Sequence, residues 1–224
     1  MHHSPAPGTP SRLSPGPTTR PSTQPGTQPG TQLDALAARI HALPPSCGAV
    51  RLVGVDGHAG SGKTTFAEAL AAALGGAPVV HLDDLATHEQ PFEWTDRLCG
   101  EVLEPLERGE TARHRVYDWS ERRFAGVHEI LPAPVVLIEG VGAGRRAVRP
   151  YLAGLVWMDL SAAAARARGE ARDGPALASF WRAWARAEAS HFATDPSRPY
   201  ADLLVDGITL ALRSHSNRPH SHSG

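Results

Sequence analysis

Lysine is nearly absent from this chain of 224 residues: Lys63 stands alone among 22 strong cations, every other one being arginine. Cysteine is scarce too. Cys47 and Cys99 sit in unrelated contexts without metal-type spacing, which argues against a disulfide framework or a cysteine-held zinc and leaves two ordinary thiols. Long apolar runs are missing. A stretch such as Pro134 to Ile138 falls far short of the about 20 residues a membrane span requires, and no hydrophobic signal segment opens the chain. No membrane partner is therefore expected, and the cytoplasm is the expected location. Charge of one sign is lacking as well: the formal net charge is -1, so no bulk attraction to nucleic acid or anionic lipid is expected, and nucleic acid is not an expected partner. The sequence holds no signal for an oligomeric state.

What is present divides the chain in three. Residues 1–31 are crowded with Pro, Gly, Ser and Thr, including the repeat around Gly26-Thr27-Gln28-Pro29-Gly30-Thr31-Gln32. Such a composition offers too few apolar side chains to offset the entropy of ordering. The His- and Ser-rich end, 214–224, reads the same way, with histidines that bind metal adventitiously at most. Both ends are expected to be disordered tails around one domain, 32–213.

Within that domain the pattern alternates. Leu33, Leu36, Ile40 and Leu43 recur at helical spacing up to Pro44-Pro45. An apolar run at Val50–Val55, a Gly-rich turn, an Ala-rich helix from Lys63 to Leu74 and a second run at Pro78–Leu82 form a strand, helix, strand unit. Further runs at Val135–Ile138, Leu155–Leu160 and Ala201–Val205 lack polar alternation, as strands buried on both faces do. Helices are expected near Thr95–Glu107, Ser161–Arg172 and Ala176–Phe192, the last with Trp181 and Trp184 read as core. The fold class is α/β: a parallel β-sheet flanked by helices on both faces, with a helical lid.

The motif that carries chemistry is Gly57-His58-Ala59-Gly60-Ser61-Gly62-Lys63-Thr64, which fits G-x-x-x-x-G-K-[ST] between a strand and a helix, with Thr65 following in the first helical turn. Glycines let the backbone wrap a polyphosphate, its N–H groups point inward, and the helix offers a positive N-terminal end. Lys63 would reach the β- and γ-phosphates of ATP and Thr64 would hold Mg²⁺. The lone lysine falls where a compact ammonium suits a phosphate cradle.

Carboxylates follow at strand ends, where open α/β sheets place their chemistry. Asp83, in His81-Leu82-Asp83-Asp84-Leu85, can accept a proton from an attacking hydroxyl or help hold Mg²⁺, and Glu139, closing Val135-Val136-Leu137-Ile138-Glu139-Gly140, can orient Mg²⁺ or its water. Asp84 reads as a helix cap. Arg166, Arg168 and Arg172 ride on the helix where a lid would close; Arg168 and Arg172 share a face, either solvated or turned to a transferring phosphoryl group. The segment from Arg113 to Phe124, dense in aromatics and cations, could stack a base or form a basic patch diluted by Asp118 and Glu121.

In this order the elements resemble the uridine kinase-like branch of P-loop kinases, over about residues 48–207. The matching stretches are Gly54-Val55-Asp56-Gly57 into the loop, Leu82-Asp83-Asp84-Leu85, Val116-Tyr117-Asp118-Trp119, Ile138-Glu139-Gly140, and Arg168 with Arg172-Asp173. The resemblance implies Asp83 as general base and Glu139 as a magnesium-side carboxylate. It makes Arg168 and Arg172 lid arginines, Tyr117 an acceptor-site residue, and Glu89 in Glu89-Gln90-Pro91-Phe92 a ligand of a sugar hydroxyl. Two positions depart: Ala86 stands where the family has an aromatic, and Arg122 where uridine kinases carry a histidine. Arg122 is taken with Glu89 and Tyr117 as the substrate-side set. The expected function is transfer of the ATP γ-phosphate to a hydroxyl of a small-molecule acceptor, a nucleoside first. An ATP-driven module without such an acceptor and a nucleic-acid-linked kinase are the alternatives.

Overall fold

Two apolar faces on each central strand require a layer of helices on either side. A computed structural model describes residues 29–214, so most of both expected tails lies outside the described residues. Pro29 to Thr31 already belong to the first helix, Pro29–His41 (α1), which starts ahead of the periodic residues.

The sheet is built around Arg51–Gly57 (β1), with Val135–Glu139 (β5) on one side and Leu152–Asp159 (β6) on the other. Val79–His81 (β2) lies beyond β5, while Leu203–Asp206 (β7) and Leu212–Ser214 (β8) extend the other edge. All pairings are parallel except that of β8 with β7. This antiparallel edge departs from the expected all-parallel sheet, because three residues are too short to show a period in sequence. The helix Lys63–Ala73 (α2) links β1 to β2, yet β5 inserts between those two strands. The order thus reverses beside β1, and a crevice opens outside the carboxyl ends of the strands.

Val53, Val55, Leu137, Val156 and Met158 pack against Leu36 and Ile40 of α1 and Phe66 and Leu70 of α2. Leu52, Val80, Val136 and Ile138 face the opposite way, onto Leu82–Leu85 (α3), Thr95–Leu98 (α4), a π-helical turn Cys99–Leu103 and Glu104–Glu107 (α5). The last three run on as the single helix expected there. Pro105 explains the widened turn: it has no N–H to give and its ring would crowd the carbonyl four residues back.

Ala112–Asp118 (β3) and Arg123–Ile130 (β4) form a separate antiparallel hairpin that was not expected from sequence. Its first strand does alternate, with Ala112 and His114 buried and Arg113 and Arg115 exposed. The alternation escapes a reading for apolar residues because a histidine occupies a buried position. Beyond β6, Ser161 caps Ala162–Asp173 (α6) by accepting from the Ala164 N–H at 3.3 Å, and Ala178–Thr194 (α7) follows after a short 3-10 turn.

Candidate active site

The turn leaving β1 bends back over the start of α2. Gly60 takes φ +85°, and a Cβ there would lie 2.2 Å from the Ala165 carbonyl oxygen, so α6 rests directly on the loop and no larger residue fits. Lys63 Nζ donates to the His58 carbonyl at 3.0 Å, spanning the loop from its far end. Thr64 Oγ1 donates to Glu139 Oε1 at 3.1 Å. Ser61 Oγ is buried and has no hydrogen-bond partner among the described residues. Backbone amides, an ammonium and hard oxygen donors therefore gather at the N-terminal end of an eleven-residue helix, a chemistry that fits a magnesium polyphosphate.

Two carboxylates that sequence reasoning did not nominate hold this loop. Asp56, fully buried, accepts from the N–H groups of Gly57 (2.7 Å), Gly142 (2.9 Å) and Gly144 (2.8 Å), tying the loop after β1 to the loop after β5. Its signal was an acid inside an apolar strand. Glu188 of α7 accepts from the Ala59 N–H at 2.7 Å and lies 3.2 Å from His58 Nδ1. It falls on the buried stripe with Trp181 and Trp184, so an acid on an apolar helix face was the available clue. Asp56→Ala strands three buried donors, each costing about 1–3 kcal/mol. Urea denaturation is expected to show stability lowered by at least about 3 kcal/mol with an unchanged slope.

At the mouth of the sheet, Glu139 also lies 2.7 Å from His81 Nδ1, and that hydrogen bond raises the imidazole pKa above its ordinary range. Asp83 stands one helical step further on α3. Crowding by protein pushes its carboxyl above the usual range, Glu139 adds to this, and Lys63 opposes it. Asp83 keeps accessible surface where it opens into the cavity, and solvent there moderates the shift.

These groups share one cavity of about 610 Å³, lined by Lys63, Thr64, Thr65, Asp83, Glu139, Arg168 and Arg172. Helix α6 contributes both arginines. Arg168 Nη1 donates to the Gly207 carbonyl at 2.7 Å, while Arg172 pairs with Asp173 at 2.6 Å, an acid that Trp181 Nε1 also reaches at 3.1 Å. Trp119, Phe180, Trp181 and Trp184 form an aromatic wall; Trp181 and Trp184, read as core from sequence, are buried in a cluster with Phe92 and Val141 and border the cavity from there. Trp119 Nε1 donates to the Asp83 carbonyl at 3.2 Å and braces the turn that carries the acid.

The substrate-side set is not part of this lining. Tyr117 is buried beneath Trp119, its ring 5.3 Å away, with its hydroxyl 3.1 Å from His88 Nδ1. Glu89 and Arg122 pair with each other at 2.7 Å on the surface. Asp118 accepts from the N–H groups of Ser120 and Glu121, which shapes the hairpin turn. Cations of this segment have acidic neighbours: Arg113 with Glu129 (2.7 Å), Arg115 with Glu101 (3.8 Å) and Arg123 with Glu121 (3.9 Å). Such pairing leaves little uncommitted positive charge for a nucleic-acid backbone.

A glycine-rich loop between β1 and α2, carboxylates at strand ends and the arginines of α6 stand on a mostly parallel sheet flanked by helices, an α/β fold that the chain shares with solved structures. A protein from Bacillus stearothermophilus provisionally assigned as a uridine kinase superposes with a TM-score of 0.60 at 20% identity, over 78% of this chain and 97% of its own. One from Silicibacter sp. TM1040, provisionally assigned as a fructose transport system kinase, gives 0.56 at 24% identity, covering 74% and 95%. A D-glycerate 3-kinase from Cryptococcus neoformans var. grubii gives 0.53 at 13% identity, covering 85% and 100%. No protein-family model and no curated protein matches the sequence. No helix among the described residues is long and apolar enough to cross a membrane.

Proposed function

We propose that the protein is an ATP- and Mg²⁺-dependent kinase that phosphorylates a hydroxyl of a small molecule in the cytoplasm, with a nucleoside as the first candidate acceptor. The observation that carries this reading is the meeting of Lys63, Thr64, Asp83, Glu139 and two lid arginines around one cavity. Lys63 and the loop amides would hold the β- and γ-phosphates. Asp83 would take the proton of the acceptor hydroxyl as its oxygen bonds to the γ-phosphorus; the bond from that phosphorus to the bridging oxygen breaks, and ADP leaves. Thr64, with Asp83 and Glu139, would hold Mg²⁺, which supplies charge neutralisation on the phosphates. Arg168 and Arg172 would balance charge on the transferring group.

The aromatic wall favours an acceptor with a planar ring, because rings stack at a large apolar gain. Kinases of other small hydroxyl compounds are the second reading, favoured by Glu89, Tyr117 and Arg122 lying outside the cavity lining. ADP release should be measured with nucleosides, sugars and sugar acids in turn. Stimulation by one class supports the kinase and names the acceptor, whereas a rate flat across the panel favours an ATP-driven module.

A pH profile gives a further check. Asp83 works only as the carboxylate, so activity falls as pH drops through its pKa. With that pKa raised, the acid limb of kcat/KM in the free enzyme is expected above the ordinary aspartate value of about 3.9. A limb at or below that value would contradict the role.

A further inference from the structure

The hairpin β3–β4 brings two histidines together that no part of the proposed chemistry uses. His114 and His128 sit opposite each other in the antiparallel register, their ring centroids 5.3 Å apart. Asp84 of α3 completes a group in which one ligand atom from each residue lies within 4.8 Å of the others. His114 is fully buried, and its Nε2 has no hydrogen-bond partner among the described residues. A buried ring nitrogen without a partner forfeits its hydration, so its position requires a reason.

The other ring nitrogen supplies one. His114 Nδ1 lies 3.4 Å from the Arg115 carbonyl, a long contact that only an Nδ1–H can make as a hydrogen bond, and that tautomer leaves a lone pair on Nε2. That division is how metal-ligating histidines are oriented: one nitrogen held by a carbonyl, the other facing the ion. Asp84 and His128 keep accessible surface, so solvent can deliver an ion to the group.

We propose that Asp84, His114 and His128 form a second metal site, distinct from the magnesium position, for a divalent transition ion of the zinc class. Two imidazoles and one carboxylate are a zinc-type donor set, unlike the all-oxygen sets that suit magnesium. Bonds of about 2.0–2.2 Å bring ligand atoms to about 3.3–3.6 Å of one another in a tetrahedral site. From 4.8 Å this needs side-chain adjustments on the order of 1 Å. The ion would clip the hairpin to α3, the turn that carries Asp83, so the site would act on the active centre by positioning.

The test uses the full chain and the variants His128→Gln and Asp84→Asn, both altered at positions with accessible surface so that folding is kept. Each protein is equilibrated at buffered free zinc, and bound zinc is counted by atomic emission. The parent is expected to hold one ion more than either variant, and its affinity to exceed theirs at least about tenfold. Histidines of the terminal segments are common to all three and cancel in the difference. Zinc is also expected to raise the thermal midpoint of the parent and not of the variants. Cobalt(II) should give tetrahedral ligand-field bands in the parent alone. Equal zinc contents and equal thermal shifts in all three proteins would overturn the proposal, whatever the kinase assay shows.

Discussion

Asp83→Asn is expected to slow phosphoryl transfer by about 10²–10⁴-fold while leaving ATP binding in place. The amide has nearly the shape of the carboxyl, and Trp119 hydrogen-bonds the backbone carbonyl of Asp83 rather than its side chain, so that brace survives the change. What is lost is a base facing the cavity, and the other carboxylates of the lining are committed: Glu139 to Thr64 and His81, Asp173 to Arg172 and Trp181. Single-turnover measurement separates the steps. A fall in the transfer rate with unaltered nucleotide affinity fits the assignment, and a normal rate would show that the proton leaves by another route.

Lys63→Ala is expected to reduce ATP turnover by about 10²–10³-fold or more, since the ammonium meets charge that grows on the phosphates. Lys63→Arg is not expected to restore it. The lysine is buried in a loop that already packs against α6 at Gly60, and a planar guanidinium is wider than an ammonium. Steady-state ADP release by both variants, beside circular dichroism to verify folding, checks this. Full turnover in Lys63→Ala would remove the loop from the mechanism.

Residues close in the chain were legible, and residues joined only by the fold were not. β1, the glycine-rich loop and α2 follow from a continuous stretch whose glycines, lysine and threonine have local jobs. β5 and Glu139 could be read because a strand buried on both faces leaves an apolar run that stops at an acid. Asp56 and Glu188 were missed because their partners are backbone N–H groups that arrive from elsewhere: Gly142 and Gly144 for one, Ala59 for the other. The hairpin was missed because its buried face carries His114. Glu89, Tyr117 and Arg122 lie close to expected motifs in sequence, but the loop after α3 for the first and the path of β3 and its turn for the other two set them outside the cavity lining, a matter of tertiary geometry. Trp181 and Trp184 were legible as core, since they are buried with Phe92 and Val141, but a helix face gives no sign in sequence that its core also borders a cavity.

The central claim is that the loop after β1 cradles a magnesium nucleotide through Lys63 and the amides around it. Calorimetric titration of Mg-ATP into the full chain tests it most directly, with Lys63→Ala as the comparison. One nucleotide per chain is predicted for the parent, with clearly weaker binding in the variant. No heat from the parent, or identical isotherms for the two proteins, would contradict the account.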